Sequence, residues 1–268
     1  MKSMRSGIAL LAVAGIAAIA SARPVDSATV TTRIFNDDAD SNLTVVNNYP
    51  SLISIADANV NGDGVGGEFA NRHNFRLASG GVTAEFANSQ SFSFSSNVRI
   101  DGPGAAEGGL NISPWWSKAI DGNFMLNTGN HEVAIFGGRL PFYSFTAQHG
   151  VKYFAGQTVR LGVTYSANGL SAGSPGTIEY TYFDGVNTFS SGAIAFDQGN
   201  PAEDPPHGLW GLLNDYTVGG YYMPFVDSFV ADPSSQITFS DISYTAVPTP
   251  AALALAGVAG LAASRRRR

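Results

Sequence analysis

Much of the chain alternates. In residues 91–100, Phe92, Phe94, Val98 and Ile100 share one face, while Ser91, Ser93, Ser95 and Asn97 share the other. A period of two fits a half-buried strand and excludes a helix. Residues 158–165 repeat it with Val159, Leu161, Val163 and Tyr165 inward. Residues 176–184 do so again, with Ile178, Tyr180 and Tyr182 set against Glu179 and Thr181. The stretch between them, 167–176, is rich in Gly, Ser, Asn and Pro, which predicts a hairpin. Ile237 and Phe239 keep one phase, and Ile242 and Tyr244 keep the other. The slip at Ser240-Asp241 predicts a bulge. Further strands are expected at 29–35, 82–88, 110–116, 124–127, 132–136 and 190–196. Between the two ends no window carries three turns of amphipathic helix. Strands at roughly ten-residue spacing point to an all-β antiparallel sandwich or jelly roll. No fixed-period repeat or linker divides the middle, so one domain is expected over residues 23–246.

The two ends carry their own signals. Lys2 and Arg5 precede an apolar run over 7–20, followed by Ala20-Ser21-Ala22. This is the layout of a cleavable secretory signal, residues 1–22, read by signal peptidase. The run falls short of the ~20 residues a spanning helix needs. The C-terminus reads Val247-Pro248-Thr249-Pro250, then thirteen residues of Ala, Leu, Val and Gly, then Ser264 and Arg265, Arg266, Arg267 and Arg268. The prolines stop a strand. The apolar run makes a short transmembrane helix, helped by its flanks, and the arginines stay cytoplasmic.

This tail resembles the PEP-CTERM sorting signal of bacterial exported proteins. The glutamate usual between the prolines is Thr249 here. The resemblance covers residues 247–268. It implies recognition by an exosortase-type membrane protease, removal of the tail, and release or attachment at the cell surface, in the matrix or in the periplasm. The protein is then membrane-anchored only before processing.

The chain holds 15 Lys+Arg and 21 Asp+Glu. Six of the basic residues lie in the removable ends, which leaves a strongly acidic mature part. Such a surface repels phosphate backbones, so nucleic-acid binding is not expected. With no cysteine, thiol catalysis and cysteine–zinc sites are excluded.

The sharpest motif is Asp57-Ala-Asn59-Val-Asn61-Gly62-Asp63-Gly64-Val-Gly-Gly-Glu68. Its spacing matches a twelve-residue calcium loop and resembles those of EF-hands and dockerins. Asp57, Asn59, Asn61, Asp63 and Glu68 are the candidate calcium ligands, since alternate oxygens could surround the ion and Gly62 permits the turn. Gly64 departs from the apolar residue usual at that place, and the flanks do not read as helices. A surface turn joining two strands is the competing reading.

Gly169-Leu-Ser171-Ala-Gly173 spells a nucleophile elbow, but a strand follows where the elbow needs a helix, so a hairpin tip is expected. A glycosidase needs two carboxylates across the scissile bond. Glu85, Glu107, Glu132 and Glu179 stand isolated on different strands. His73, His131, His149 and His207 show no metal-ligand spacing and are expected at the surface or in structural hydrogen bonds. Trp115 and Trp116 are adjacent, so in a strand they face opposite ways. With Trp210 they are candidates for stacking on a sugar, as are Tyr143, Tyr221 and Tyr222; core packing is the competing fate.

The stretch 107–244 resembles the concanavalin A-like lectin/glucanase sandwich. The resemblance rests on Glu107-Gly-Gly-Leu-Asn-Ile, Gly192-Ala-Ile-Ala-Phe, Gly219-Gly-Tyr-Tyr and Ile237-Thr-Phe-Ser-Asp-Ile-Ser-Tyr. It implies a jelly roll whose concave face often binds glycans. The expectation is an exported, non-enzymatic, surface-associated β-sandwich that binds polysaccharide. The alternatives are a secreted glycoside hydrolase of the same fold and a purely structural envelope component.

Overall fold

A computed structural model describes residues 24–36, 38–62, 69–113, 122–197, 210–227 and 233–247. The signal segment, the tail from Pro248 onward, Asp63, Glu68, Trp115, Trp116 and His207 lie outside the described residues. Strands are numbered along the chain. The first sheet runs, in spatial order, β1 (Ser27–Asn36), β4 (Asn71–Ser79), β15 (Thr217–Pro224), β7 (Ala106–Ser113), β8 (Gly122–Asn127), β9 (Val133–Phe136) and β10 (Tyr143–Ser144), with β5 (Val82–Thr83) on β4. The second runs β13 (Thr188–Ser190), β12 (Thr177–Phe183), β11 (Thr158–Ser166), β6 (Ser91–Asp101), β16 (Ser235–Val247), β3 (Leu52–Ala58) and β2 (Asn42–Asn48), with β14 (Ile194–Ala195) on β12. All pairings are antiparallel, and the chain crosses repeatedly between the sheets. This is the expected all-β antiparallel sandwich. Among the described residues one short helix, α1 (Phe145–His149), is capped by the Ser144 side chain and ended by left-handed Gly150. No described helix is long and apolar enough to cross a membrane.

The alternation of the second sheet is a product of one wet face. In β6, Phe92, Phe94, Val98 and Ile100 are buried, and Ser91, Ser93, Ser95 and Asn97 are not. β11 and β12 send Val159, Leu161, Val163, Tyr165, Ile178, Tyr180 and Tyr182 inward as expected. From the first sheet Phe75, Leu77, Leu110, Phe124, Leu126 and Val218 meet them. Burial of each such side chain contributes roughly 1.5–3 kcal/mol. The predicted bulge is present: the β16 register shifts between Ser240 and Ser243, and Asp241 has φ 49°. The inward Ser96 hydroxyl donates to the Ser240 carbonyl there, 3.0 Å away.

Two expectations are corrected. Residues 82–88 form a strand only at Val82–Thr83, followed by an isolated bridge from Phe86 to Tyr216. Residues 190–196 split between β13 and β14, because Gly192 turns the chain at φ 64°. Residues 71–79, after the Gly-rich loop, form the nine-residue strand β4, which the sequence reading did not place. It is buried on both faces, so polar residues stand at positions where apolar ones mark a strand.

The two sheets are pinned at one side by a buried pair. Asp57 lies on β3 and His73 on β4, and both side chains are 0% exposed. The Arg33 backbone N–H donates to His73 Nδ1 at 3.1 Å, which places the imidazole proton on Nε2, 3.1 Å from Asp57 Oδ2. Asn71 Nδ2 donates to the same oxygen at 2.9 Å. Burial alone would push the Asp57 carboxyl up, but hydrogen bonds from His73, Asn71 and Ser41 together outweigh it and hold it below the ordinary carboxylate value. A depressed carboxylate contributes stability above its unfolded pKa and loses it as pH falls through the folded value. His73→Ala leaves Asp57 short of a partner in the interior. It is expected to cost on the order of 3 kcal/mol in urea unfolding at neutral pH. It should also shift the acid-unfolding midpoint upward; an unmoved midpoint would show that His73 does not hold the carboxylate.

Candidate functional site

The face of the first sheet turned away from the core is polar. Cross-strand register places Asn74, Tyr221, Gly109 and Met125 in one row, and Arg76, Gly219, Asn111 and Asn123 in the next. A third row holds Met223, Glu107 and Asn127. The backbone N–H of Asn127 donates to the Glu132 carbonyl, which extends that row to Glu132. Gly219 is required where it stands, since a Cβ there would lie 2.0 Å from the Phe75 carbonyl oxygen on β4.

These side chains form one hydrogen-bonded network. Arg76 Nη1 donates to Asn111 Oδ1, and so does Ser113 Oγ, the latter at 2.9 Å. Asn111 Nδ2 donates to Asn123 Oδ1 at 2.9 Å, and Arg72 Nη2 reaches the same oxygen at 3.2 Å. The Arg72 guanidinium lies 4.6 Å from the centroid of the Tyr221 ring, a cation–π contact. The Tyr221 hydroxyl donates to Glu107 Oε1 at 2.7 Å. The face thus carries two planar cations, a row of amides and one aromatic ring, all largely buried. Burial pushes the Glu107 carboxyl up, and nearby Glu132 adds to this. Tyr221, Arg72 and Asn127 oppose it.

The structure redistributes the sequence candidates. Asp57 faces the interior, its carboxylate engaged by His73 and Asn71, whereas Asn59 and Asn61 are exposed. Asn59 has φ 59°, and this left-handed turn parts it from Asp57. Two of the five candidate calcium ligands, Asp63 and Glu68, lie outside the described residues. Gly62 N–H donates to Asp38 Oδ2 at 3.0 Å. Among the described residues no group of three acidic or histidine side chains gathers to hold a metal. Trp210 has φ 53°, and its carbonyl accepts from Gly176 N–H, which ties it to the β11–β12 hairpin. Ser171 sits at that hairpin's tip, bridged to Ser174. Tyr222 is buried against His73, and its hydroxyl meets Ser235 Oγ. Of the aromatic candidates, Tyr221 belongs to the network.

Arg72, Arg76, Asn111 and Asn123 went unrecognised in the sequence. The available signal was the alternation of Arg72, Asn74 and Arg76 with His73, Phe75 and Leu77.

No protein-family model matches the chain, and no curated protein matches it. Among solved structures it is similar to alginate lyase AlgAT5 from polysaccharide lyase family 7, at 11% identity and a TM-score of 0.44, covering 83% of this chain and 95% of that one. It is also similar to arcelin-5, a lectin-like defense protein from Phaseolus vulgaris, at 11% identity and 0.40, covering 84% and 100%. Lectin II from Ulex europaeus aligns at 9% identity and 0.40, covering 82% and 93%. At these identities the likeness is one of backbone.

A carboxyl with a raised folded pKa contributes stability below its unfolded value and loses it as pH rises through the folded one. Glu107→Gln is therefore expected to be more stable than wild type at neutral pH, with the gain shrinking toward pH ~4. Thermal melts across that range test it; a variant less stable at neutral pH would mean that the ionised carboxylate supports the network.

Proposed function

We propose that this chain is an exported, surface- or matrix-associated β-sandwich protein that binds acidic polysaccharide on the polar face of its first sheet, without cleaving it. Export and sorting rest on the two terminal signals, with signal peptidase and an exosortase-type protease as processing partners. The binding reading rests on one observation: Arg72 and Arg76 are held on one face by amide oxygens of Asn123 and Asn111. A guanidinium fork matches a carboxylate in two parallel bonds. A uronate carboxylate at this face would meet two guanidiniums held in fixed orientation, in surroundings where charge-assisted bonds are strong. The Tyr221 ring, oriented by Arg72 and Glu107, supplies a flat apolar surface for a sugar's C–H face.

Equilibrium binding to alginate and polygalacturonate, with a neutral glucan as control, tests this. Arg76→Lys keeps the charge and loses the fork, so it is expected to weaken polyuronate binding about 10- to 100-fold. Equal retention of the neutral glucan, or a silent Arg76→Lys, would sink the reading.

One observation favours hydrolysis as a second reading. Glu107, with its raised carboxyl, and the half-exposed Glu132 stand in the same row with Asn127 between them. Two strand spacings put their Cα atoms on the order of 10 Å apart, the scale of an inverting acid–base pair. Prolonged incubation with polyuronate or glucan is expected to release no new reducing ends. Release that Glu107→Gln abolishes would replace binding with hydrolysis.

A further inference from the structure

A second concavity lies away from the polar face, where α1 meets the β12–β13 hairpin. It encloses about 430 Å³, within the range of small-molecule sites. Its aromatic base is the half-buried Phe189 ring on β13, backed by the buried Tyr182 of β12, its partner in register. One wall is the His149 ring at the end of α1, whose centroid is 5.3 Å from that of Phe189. The Tyr143 hydroxyl, 2.8 Å from His149 Nε2, fixes that ring.

The opposite rim is a preformed turn. Asp184 Oδ1 accepts from the backbone N–H groups of Val186 at 2.8 Å and Asn187 at 2.6 Å, across Gly185 at φ 100°. These bonds hold the carboxylate ionised, with a lowered pKa, and leave little of it for a ligand. Val186 stands 85% exposed on this rim, and Asn187 beside it donates from Nδ2 to Asp184 Oδ2 at 3.3 Å. Lys152 and Gln157 complete the edge. Gln157 Oε1 accepts from Phe154 N–H at 2.9 Å, and the side chain is exposed.

An aromatic floor under a rim of amides and one ammonium is the chemistry of a pyranose ring: C–H faces pack on the rings and hydroxyls reach the rim. The rim's charges, Lys152 and Asp184, are opposite in sign, so the site lacks the paired cations that the polar face offers an acid. We infer that this concavity is a separate binding site for a neutral saccharide of one or two rings. The inference does not rest on the polar-face reading.

Ligand-observed saturation-transfer NMR on the full chain, with cellobiose and lactose as probes and a galacturonate dimer as counter-probe, tests it. The neutral disaccharides are expected to bind with Kd in the millimolar range, a scale of ~4 kcal/mol. Asn187→Ala, on the exposed turn, is expected to weaken them at least about fivefold, and Phe189→Leu likewise. Arg76→Lys should leave them unchanged. If Phe189→Leu fails to fold, Asn187→Ala still decides. No transfer from either disaccharide at ~20 mM, or transfer indifferent to Asn187→Ala, would overturn the inference. Transfer lost in Arg76→Lys would assign the signal to the polar face and overturn it equally.

Discussion

A sheet buried on both faces must satisfy its own polar side chains, and the first sheet of this sandwich is built around that demand. Toward the core it presents Phe75, Leu110, Phe124 and Leu126. On the other face Arg72, Asn74, Arg76, Glu107, Asn111 and Asn123 are nearly as buried. A buried guanidinium without partners costs several kcal/mol, so these groups answer one another. Asn111 and Asn123 are the joints, because an amide both donates and accepts: each takes a hydrogen bond from an arginine, and Asn111 passes one on to Asn123. The amides hold the two guanidiniums in fixed orientation, and that order is what the proposed anion site draws on.

The same demand explains what could be read from sequence. The second sheet was legible because one of its faces is wet: the contrast between Phe94 and Ser95, or Tyr180 and Thr181, is the contrast between oil and water. Even its bulge at Ser240-Asp241 showed as a slip in phase. β4 and β15 carry no such contrast. In β4, His73 sits on the core side among Phe75 and Leu77, and Arg72, Asn74 and Arg76 sit opposite, so polar residues on both faces disguise a period of two. β15 offers two glycines and two tyrosines, which read as turn and aromatic cluster rather than strand. The site's arginines and Tyr221 fell in these strands, with Glu107, Asn111 and Asn123 on β7 and β8. Its arginines and asparagines look in sequence like residues bound for solvent, and only register shows them assembled.

Asp57 carries two patterns at once. Its place in a calcium-loop pattern is a statement about spacing along the chain, and its place in β3 is a statement about faces. β3 continues through residue 58, so the strand's alternation aims Asp57 inward at His73 before the left-handed Asn59 turns the chain. A motif of alternate oxygens and a strand of alternate faces share the same period, so spacing alone does not tell them apart. His73 also supplies a crosslink: β3 belongs to one sheet and β4 to the other, so the pair fixes their stacking at one side, where the apolar core ends.

The proposed capture of an acidic polysaccharide by an acidic chain requires the long-range and short-range fields to differ. The chain's formal charge is −6, and most acidic groups among the described residues are exposed or half-exposed. At physiological ionic strength the Debye length is ~8 Å, so those exposed charges repel a polyanion weakly beyond their immediate neighbourhood. The two guanidiniums are withdrawn from solvent and screened far less. Their attraction acts only on a carboxylate that has already reached the face. Capture therefore depends on fit and not on steering: association gains little from the field of the whole molecule, and discrimination comes from the fork geometry at Arg72 and Arg76. Raising salt should then affect such a site less than it affects one built from surface lysines, because charges withdrawn from bulk solvent are screened less.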